Sequence, residues 1–179
     1  MRKTICEICR IWEPEWDGMV IAEITYRQKK KGQEEKWTSR VRGGKLVRIE
    51  CTEQGSGNIF RLILVRPSAQ EIEIRPRKEE IRNADWVLWK SFSKDDIHAY
   101  SAAVGDHNSV HQGGRPMADG LCLFEELWKT VPDRTVYRMR FCCPVWADVP
   151  VYLERTECGV RGFSGNILCF EMNWENAVL

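Results

Sequence analysis

The sequence predicts an α+β fold in which an antiparallel sheet wraps around one buried helix. Three observations predict it. Stretches rich in Val, Ile, Thr and aromatic residues recur along the first half of the chain. One helix-forming stretch, 118–130, carries Leu121, Leu123, Phe124, Leu127 and Trp128, so it is apolar around much of its circumference and suited to being surrounded by protein. Strand-like stretches then return after it. A chain of 179 residues, 43% of them apolar, holds enough material to bury a core. Lys and Arg number 27 against 26 for Asp and Glu, so charge gives no pull toward nucleic acid or an anionic membrane.

The start of the chain, Met1 to Thr4, is basic, but Glu7, Arg10, Glu13, Glu15 and Asp17 interrupt the next stretch and leave no signal-peptide core. Nothing approaches the ~20 apolar residues of a membrane span, so a cytoplasmic protein with eight free thiols is expected. Strands are expected at 19–26, 37–50, 58–66 and 71–75, with turns at 29–33, 43–44, 55–58 and 67–68 between them. The lysine-rich turn at 29–31 is read as a solvated hairpin tip. This half reads as an antiparallel sheet without a long helix. The charged run 75–80 divides the chain into a β-rich part, 1–80, and a second part, 81–179. A short strand at 86–92 precedes Ser93-Lys94-Asp95-Asp96, a capping-box start for a helix. Ile97, Tyr100 and Val104 mark that helix's buried face, and Gly105 closes it. After the 118–130 helix, Pro132 breaks the pattern, and three strands are expected at 137–145, 149–157 and 165–174, with 158–162 as a connector.

The chemistry concentrates in Gly105-Asp106-His107-Asn108-Ser109-Val110-His111. A carboxylate, an amide and two imidazoles crowd together here. A carboxylate and a neutral imidazole can jointly hold a water and take its proton as it attacks an electrophile, and a nearby amide can hold the carboxylate in position. His107 reads as an exposed loop residue, and His98 as lying on the polar side of its helix. Cys6-Glu7-Ile8-Cys9 has a spacing that recurs in zinc and redox sites, and Cys142-Cys143 would be the candidate second pair. Adjacent cysteines on a strand point to opposite faces, however, so no metal is expected.

The run Phe-Ser, acidic pair, helix, Gly-Asp-x-Asn-x-apolar-His resembles the MaoC-like dehydratases and (R)-specific enoyl-CoA hydratases. Ser109 stands where that family commonly has Pro. Pro116-Met117-Ala118-Asp119-Gly120 resembles the family's start of the central helix, and Arg140-Phe141-Cys142-Cys143-Pro144-Val145 its second-strand segment. The resemblance runs from about Trp86 to Trp174. It implies a hotdog fold for the second part, and leaves the β-rich part as a possible non-catalytic hotdog-like unit. It further implies that Asp106 and His111 activate the water added to an enoyl thioester. Asn108, Ser109 and Gly120 would be supporting or substrate-binding residues, with the Gly120 N–H facing the thioester oxygen. Free N–H groups at a helix start would stabilise the charge developing there.

Coenzyme A or acyl carrier protein would be part of the substrate, with no separate cofactor. Hotdog units pair, so a homodimer, a higher homo-oligomer or an internal pair with the amino-terminal half is expected. Only Gln112-Gly113-Gly114-Arg115 separate His111 from Pro116, where the family has about a dozen more residues of substrate wall. Two alternatives therefore stay open, an acyl-CoA thioesterase and a non-catalytic acyl-binding or assembly subunit.

Overall fold

The computed structural model describes residues 1–28, 38–41, 46–52, 56–72 and 85–175. The chain opens with α1 (Arg2–Arg10), whose Thr4, Ile5, Ile8 and Cys9 are buried. Four strands come next: β1 (Val20–Arg27), β2 (Thr38–Val41), β3 (Leu46–Thr52) and β4 (Ile59–Val65). A helical turn, α2 (Ala69–Ile72), leads toward β5 (Val87–Ser91), α3 (Lys94–Val104) and α4 (Gly120–Trp128). The chain then returns through β6 (Val136–Phe141), β7 (Pro150–Thr156), β8 (Gly159–Ser164) and β9 (Ile167–Glu175).

All nine strands join one sheet in the order β2-β3-β4-β1-β6-β9-β8-β7-β5, every neighbouring pair antiparallel. The seam is β1 against β6, where Glu23 stands opposite Arg140 and Arg27 opposite Val136. Strands from the two ends of the sequence thus share one hydrogen-bonded surface. The expected division at residues 75–80 lies outside the described residues, as does the lysine-rich turn at 29–31.

The 118–130 stretch forms α4, with Leu121, Cys122, Leu123, Phe124 and Leu127 buried and Trp128 partly so. Its rings reach the amino-terminal strands. Phe124 packs edge-on to Phe60 of β4 at 5.5 Å and to Tyr26 of β1 at 6.3 Å. Each such fully buried Phe or Leu contributes about 1.5–3 kcal/mol relative to exposure. One apolar cluster accordingly runs from Ile5 and Ile24 through Phe124 to Phe170. Among the described residues no helix is long and apolar enough to cross a membrane, and all eight cysteines are free.

Four features depart from the sequence expectations. The helix α1 was not anticipated, although its buried positions are spaced i, i+1, i+4 and i+5. Residues 71–72, expected to begin a strand, belong to the helical turn α2. There the Glu71 carboxylate accepts from the N–H and hydroxyl of Ser68, a local capping box that outweighs the alternating pattern; residues 73–75 lie outside the described residues. The expected strand 37–50 is two strands, with 42–45 outside the described residues. Most of the expected connector 158–162 is β8, so four strands, not three, come after α4. Its glycines serve packing. A Cβ on Gly162 would stand 2.0 Å from the buried ring of Phe170, and one on Gly159 2.4 Å from the Met172 carbonyl.

That crowding gives a stability test. Gly162→Ala should lower stability by about 1–3 kcal/mol through overpacking against Phe170. Gly114→Ala, whose added methyl would meet nothing within 4 Å, should stay within about 0.5 kcal/mol of the parent. Parallel denaturant melts of the two variants check the difference.

Candidate active site

The helix α3 begins as its sequence dictates: the Ser93 hydroxyl accepts from the Asp96 N–H at 3.0 Å, and the Asp96 carboxylate accepts from the Ser93 N–H at 3.0 Å. It ends at Gly105 in the left-handed conformation, φ 77°. This reversal turns Asp106 inward, and a 3-10 turn at Ser109–His111 brings His111 back beside it. Both are more than nine-tenths buried, and His111 Nε2 lies 3.4 Å from Asp106 Oδ2.

Each side chain is held by its far end. Asp106 Oδ1 accepts from the Asn108 N–H at 2.9 Å. His111 Nδ1 lies 2.9 Å from the Met117 carbonyl; a carbonyl only accepts, so Nδ1 carries the proton. In the neutral imidazole Nε2 is then a lone pair facing a carboxylate oxygen. Two acceptors converge with no hydrogen between them, and a water beside them, with its two O–H donors, satisfies both.

The Asn108 side chain does not touch the carboxylate it was expected to hold. It is buried, donating to the Met19 carbonyl at 2.7 Å while its oxygen accepts from the Gly18 N–H at 3.0 Å. Alongside, the Ser109 N–H donates to Asp17 Oδ1 at 2.8 Å. That bond is the leading cause holding the Asp17 carboxyl below its usual range. Arg66 fixes the same segment by donating to the carbonyls of Glu15 and Asp17. The motif loop is thereby pinned to the approach to β1. Ser109 and His107 are exposed, and His98 is half-buried on α3, not on a wholly polar face.

Gly120 opens α4, so its N–H lacks an intrahelical acceptor. A Cβ there would meet Phe141 and Ile21 at 3.2–3.3 Å, which leaves little room for any other residue. Asp106, Asn108, His111, Asp119 and Gly120 line one cavity of about 330 Å³. Its apolar wall draws on both halves of the chain, with Trp12, Ile21, Val65 and Pro67 from the first and Phe141 and Val145 from the second. Cys9 of α1 is also close: burial, then Asp119 and Asp106, raise its thiol pKa. Among the described residues no cluster of three ligating side chains contains a cysteine.

Sequence reading missed Asp119. It caps α4, its Oδ1 accepting from the Leu121 N–H at 2.7 Å, and it is 2% exposed. Its Oδ2 is buried with no hydrogen-bond partner. One polar atom from each of Asp106, His111 and Asp119 lies within 4.8 Å of the other two. Burial is the main cause that raises the Asp119 carboxyl to about 7, with His111 opposing and Asp106 adding to the shift. The helix dipole favours an anion at this cap by about 0.3–1 kcal/mol, too little to offset burying an unpaired charge. The signal was present in the sequence, as an acidic residue directly before the helix glycine.

No family model matches the chain, and no curated protein matches it. Solved structures do. HtdX from Mycobacterium tuberculosis is similar at 15% identity with a TM-score of 0.60, over 98% of this chain and 84% of that one. A MaoC-like dehydratase from Phytophthora capsici is similar at 14% identity and a TM-score of 0.53, over 94% and 75%. An acyl-ACP thioesterase from Bacteroides thetaiotaomicron is similar at 9% identity and a TM-score of 0.50, over 88% and 75%. The chain has the hotdog fold that these structures share.

The pinning of the loop is testable. Asn108→Ala leaves the Gly18 N–H and Met19 carbonyl without their partner, which should cost about 1–3 kcal/mol. Ser109→Ala keeps the backbone bond to Asp17, loses only an exposed hydroxyl beside the same carboxylate, and should change stability by less than about 0.5 kcal/mol. Urea melts of the two variants measure this.

Proposed function

We propose that this hotdog-fold chain is a hydratase/dehydratase that adds water reversibly across the double bond of an enoyl thioester carried on coenzyme A or acyl carrier protein. The observation that carries the reading is the convergence of Asp106 Oδ2 and His111 Nε2 in a cavity that also contains the start of α4. Water between these two acceptors gives up a proton to the pair as its oxygen attacks the β-carbon. The negative charge moves to the thioester oxygen, where the Gly120 N–H and the helix dipole stabilise it. The apolar walls from Trp12, Ile21, Val65 and Phe141 accept the acyl chain and keep bulk water out. The carrier belongs to the substrate, and the reaction in this reading uses no separate cofactor. Pairing of two copies would add to the internal β1–β6 seam.

A thioesterase is the second reading, since one structurally similar protein is an acyl-ACP thioesterase. It would direct the same water at the carbonyl carbon. Product analysis separates the two, because free thiol appears only on hydrolysis. The enclosed site with both acceptors in place favours either reaction over a non-catalytic acyl-binding or assembly subunit.

Asp106→Asn should lower hydration of a short enoyl-CoA by about 100- to 10,000-fold while leaving the melting temperature little changed. His107→Ala, on an exposed side chain, should be nearly silent. Turnover of crotonyl-CoA-like substrates, followed at the double bond and by thiol release in parallel, is the measurement. An Asp106→Asn protein that keeps most of its rate would refute the assignment of the pair.

A further inference from the structure

The cluster around Asp106 has an imbalance that the water-activating pair alone does not resolve. His111 Nδ1 is committed to the Met117 carbonyl, Asp106 Oδ1 to the Asn108 N–H and Asp119 Oδ1 to the Leu121 N–H. What remains facing the cavity is a second carboxylate oxygen from each Asp and the imidazole Nε2. One polar atom from each of the three residues lies within 4.8 Å of the other two, and all three residues are at least nine-tenths buried. Asp119 Oδ2 in particular has no partner.

Within the cluster itself His111 is the one group that can carry a positive charge. From α1, Cys9 faces the cluster; from α3, Tyr100; from α4, Cys122. Two cations near these neighbours are committed elsewhere, Arg2 in an ion pair with Glu125 at 2.8 Å and over the Tyr100 ring at 4.7 Å, and Lys90 in an ion pair with Glu126 at 2.8 Å. A proton on Asp119 resolves the imbalance, because it turns three acceptors into one donor facing two acceptors. Asp119 Oδ2 is the atom that has no partner, whereas Asp106 Oδ2 already lies 3.4 Å from His111 Nε2.

We propose that Asp119 holds this proton and is the acid of the addition, delivering it to the α-carbon while Asp106 and His111 act as the base. The inference rests on the hydration reading. In the forward direction an O–H bond of water breaks and its proton passes to the Asp106–His111 pair, while the oxygen bonds to the β-carbon. The π pair moves onto the thioester as an enolate. The enolate then takes the Asp119 proton, forming the α-C–H bond and leaving the electron pair on Asp119 oxygen. The proton held by the pair moves the short distance to Asp119 and restores the starting state, so the sum is substrate plus water.

Asp119→Asn tests both halves of the proposal. The amide keeps an oxygen for the Leu121 N–H and has the shape of the neutral acid, but it has no proton to give. A carboxyl whose folded-state pKa lies above its unfolded value binds its proton more tightly when folded. Stability therefore declines as pH rises from the ordinary carboxylate range through about 7, and the decline is complete above it. Between pH 5 and 8 the wild-type melting temperature should fall by a few degrees more than that of Asp119→Asn. In hydration assays the variant should lose about 100- to 10,000-fold in kcat with a smaller change in KM, and lose the fall in rate that wild type shows above about pH 7.

Parallel melting curves for the two proteins would overturn the assignment of the proton to Asp119. Divergent curves with unchanged kcat would overturn the donor role. If wild type turns over no enoyl thioester, the reaction and the donor role fall together, and the melting curves still decide where the proton sits. A stoichiometric divalent ion that raises the wild-type melting temperature, but not that of the variant, would place a metal where the proposal places the proton.

Discussion

The site depends on one buried side chain. Asn108 joins the Gly18 N–H to the Met19 carbonyl and so holds a loop from the second half of the chain against the entrance of β1, some 90 residues away. The same residue's N–H orients Asp106. A single amide therefore ties the position of the Asp106 carboxylate to the entrance of β1. An aliphatic residue of similar size would leave the Gly18 N–H and the Met19 carbonyl without their partner, and an aspartate would place an acceptor against the Met19 carbonyl.

The motif was legible because its residues act through short-range geometry. Ser93 with Asp96, Gly105 at φ 77°, and Asp106 five residues before His111 each work within two turns of chain. The features that were missed depend on partners far away in sequence. The glycines of β8 read as turn signals, yet Gly162 is small because Phe170 needs the space. α1 is only nine residues long, and its cysteines drew attention to metal spacing, although Ile5, Ile8 and Cys9 form a helix face. Glu71 and Ile72 alternate as in a strand, but Ser68 captures the Glu71 carboxylate. Asp119 sat inside a matched segment without a role of its own. Only the folded cavity places it beside Asp106 and His111.

The division of labour across the seam comes from the same arrangement. The second half supplies Asp106, His111, Asp119 and the helix start, whereas Trp12, Ile21, Val65 and Pro67 supply part of the apolar wall. The four residues between His111 and Pro116 are too few to build that wall. A hydrophobic lining gives the electrostatics their strength, because a carboxyl and an N–H that face one another in a dry pocket interact more strongly than in water. It also explains why the amino-terminal half carries no recognisable catalytic motif: its contribution is shape and apolarity, which many sequences can supply.

The β1–β6 seam also orders events in time. Glu23 pairs with Arg140, and the Arg138 and Arg140 side chains both bond the Glu23 carboxylate, so the first strand waits for a partner more than a hundred residues along the chain. Contacts of such long sequence separation form late, because the loop they close carries a large entropic cost. While the chain is still emerging from the ribosome, β1 through β4 can assemble locally, leaving the β1 edge exposed until β6 arrives. The pocket, built from both sides of that seam, is then among the last features to form, and an incomplete chain would present an open apolar edge to its neighbours before it had a site at all.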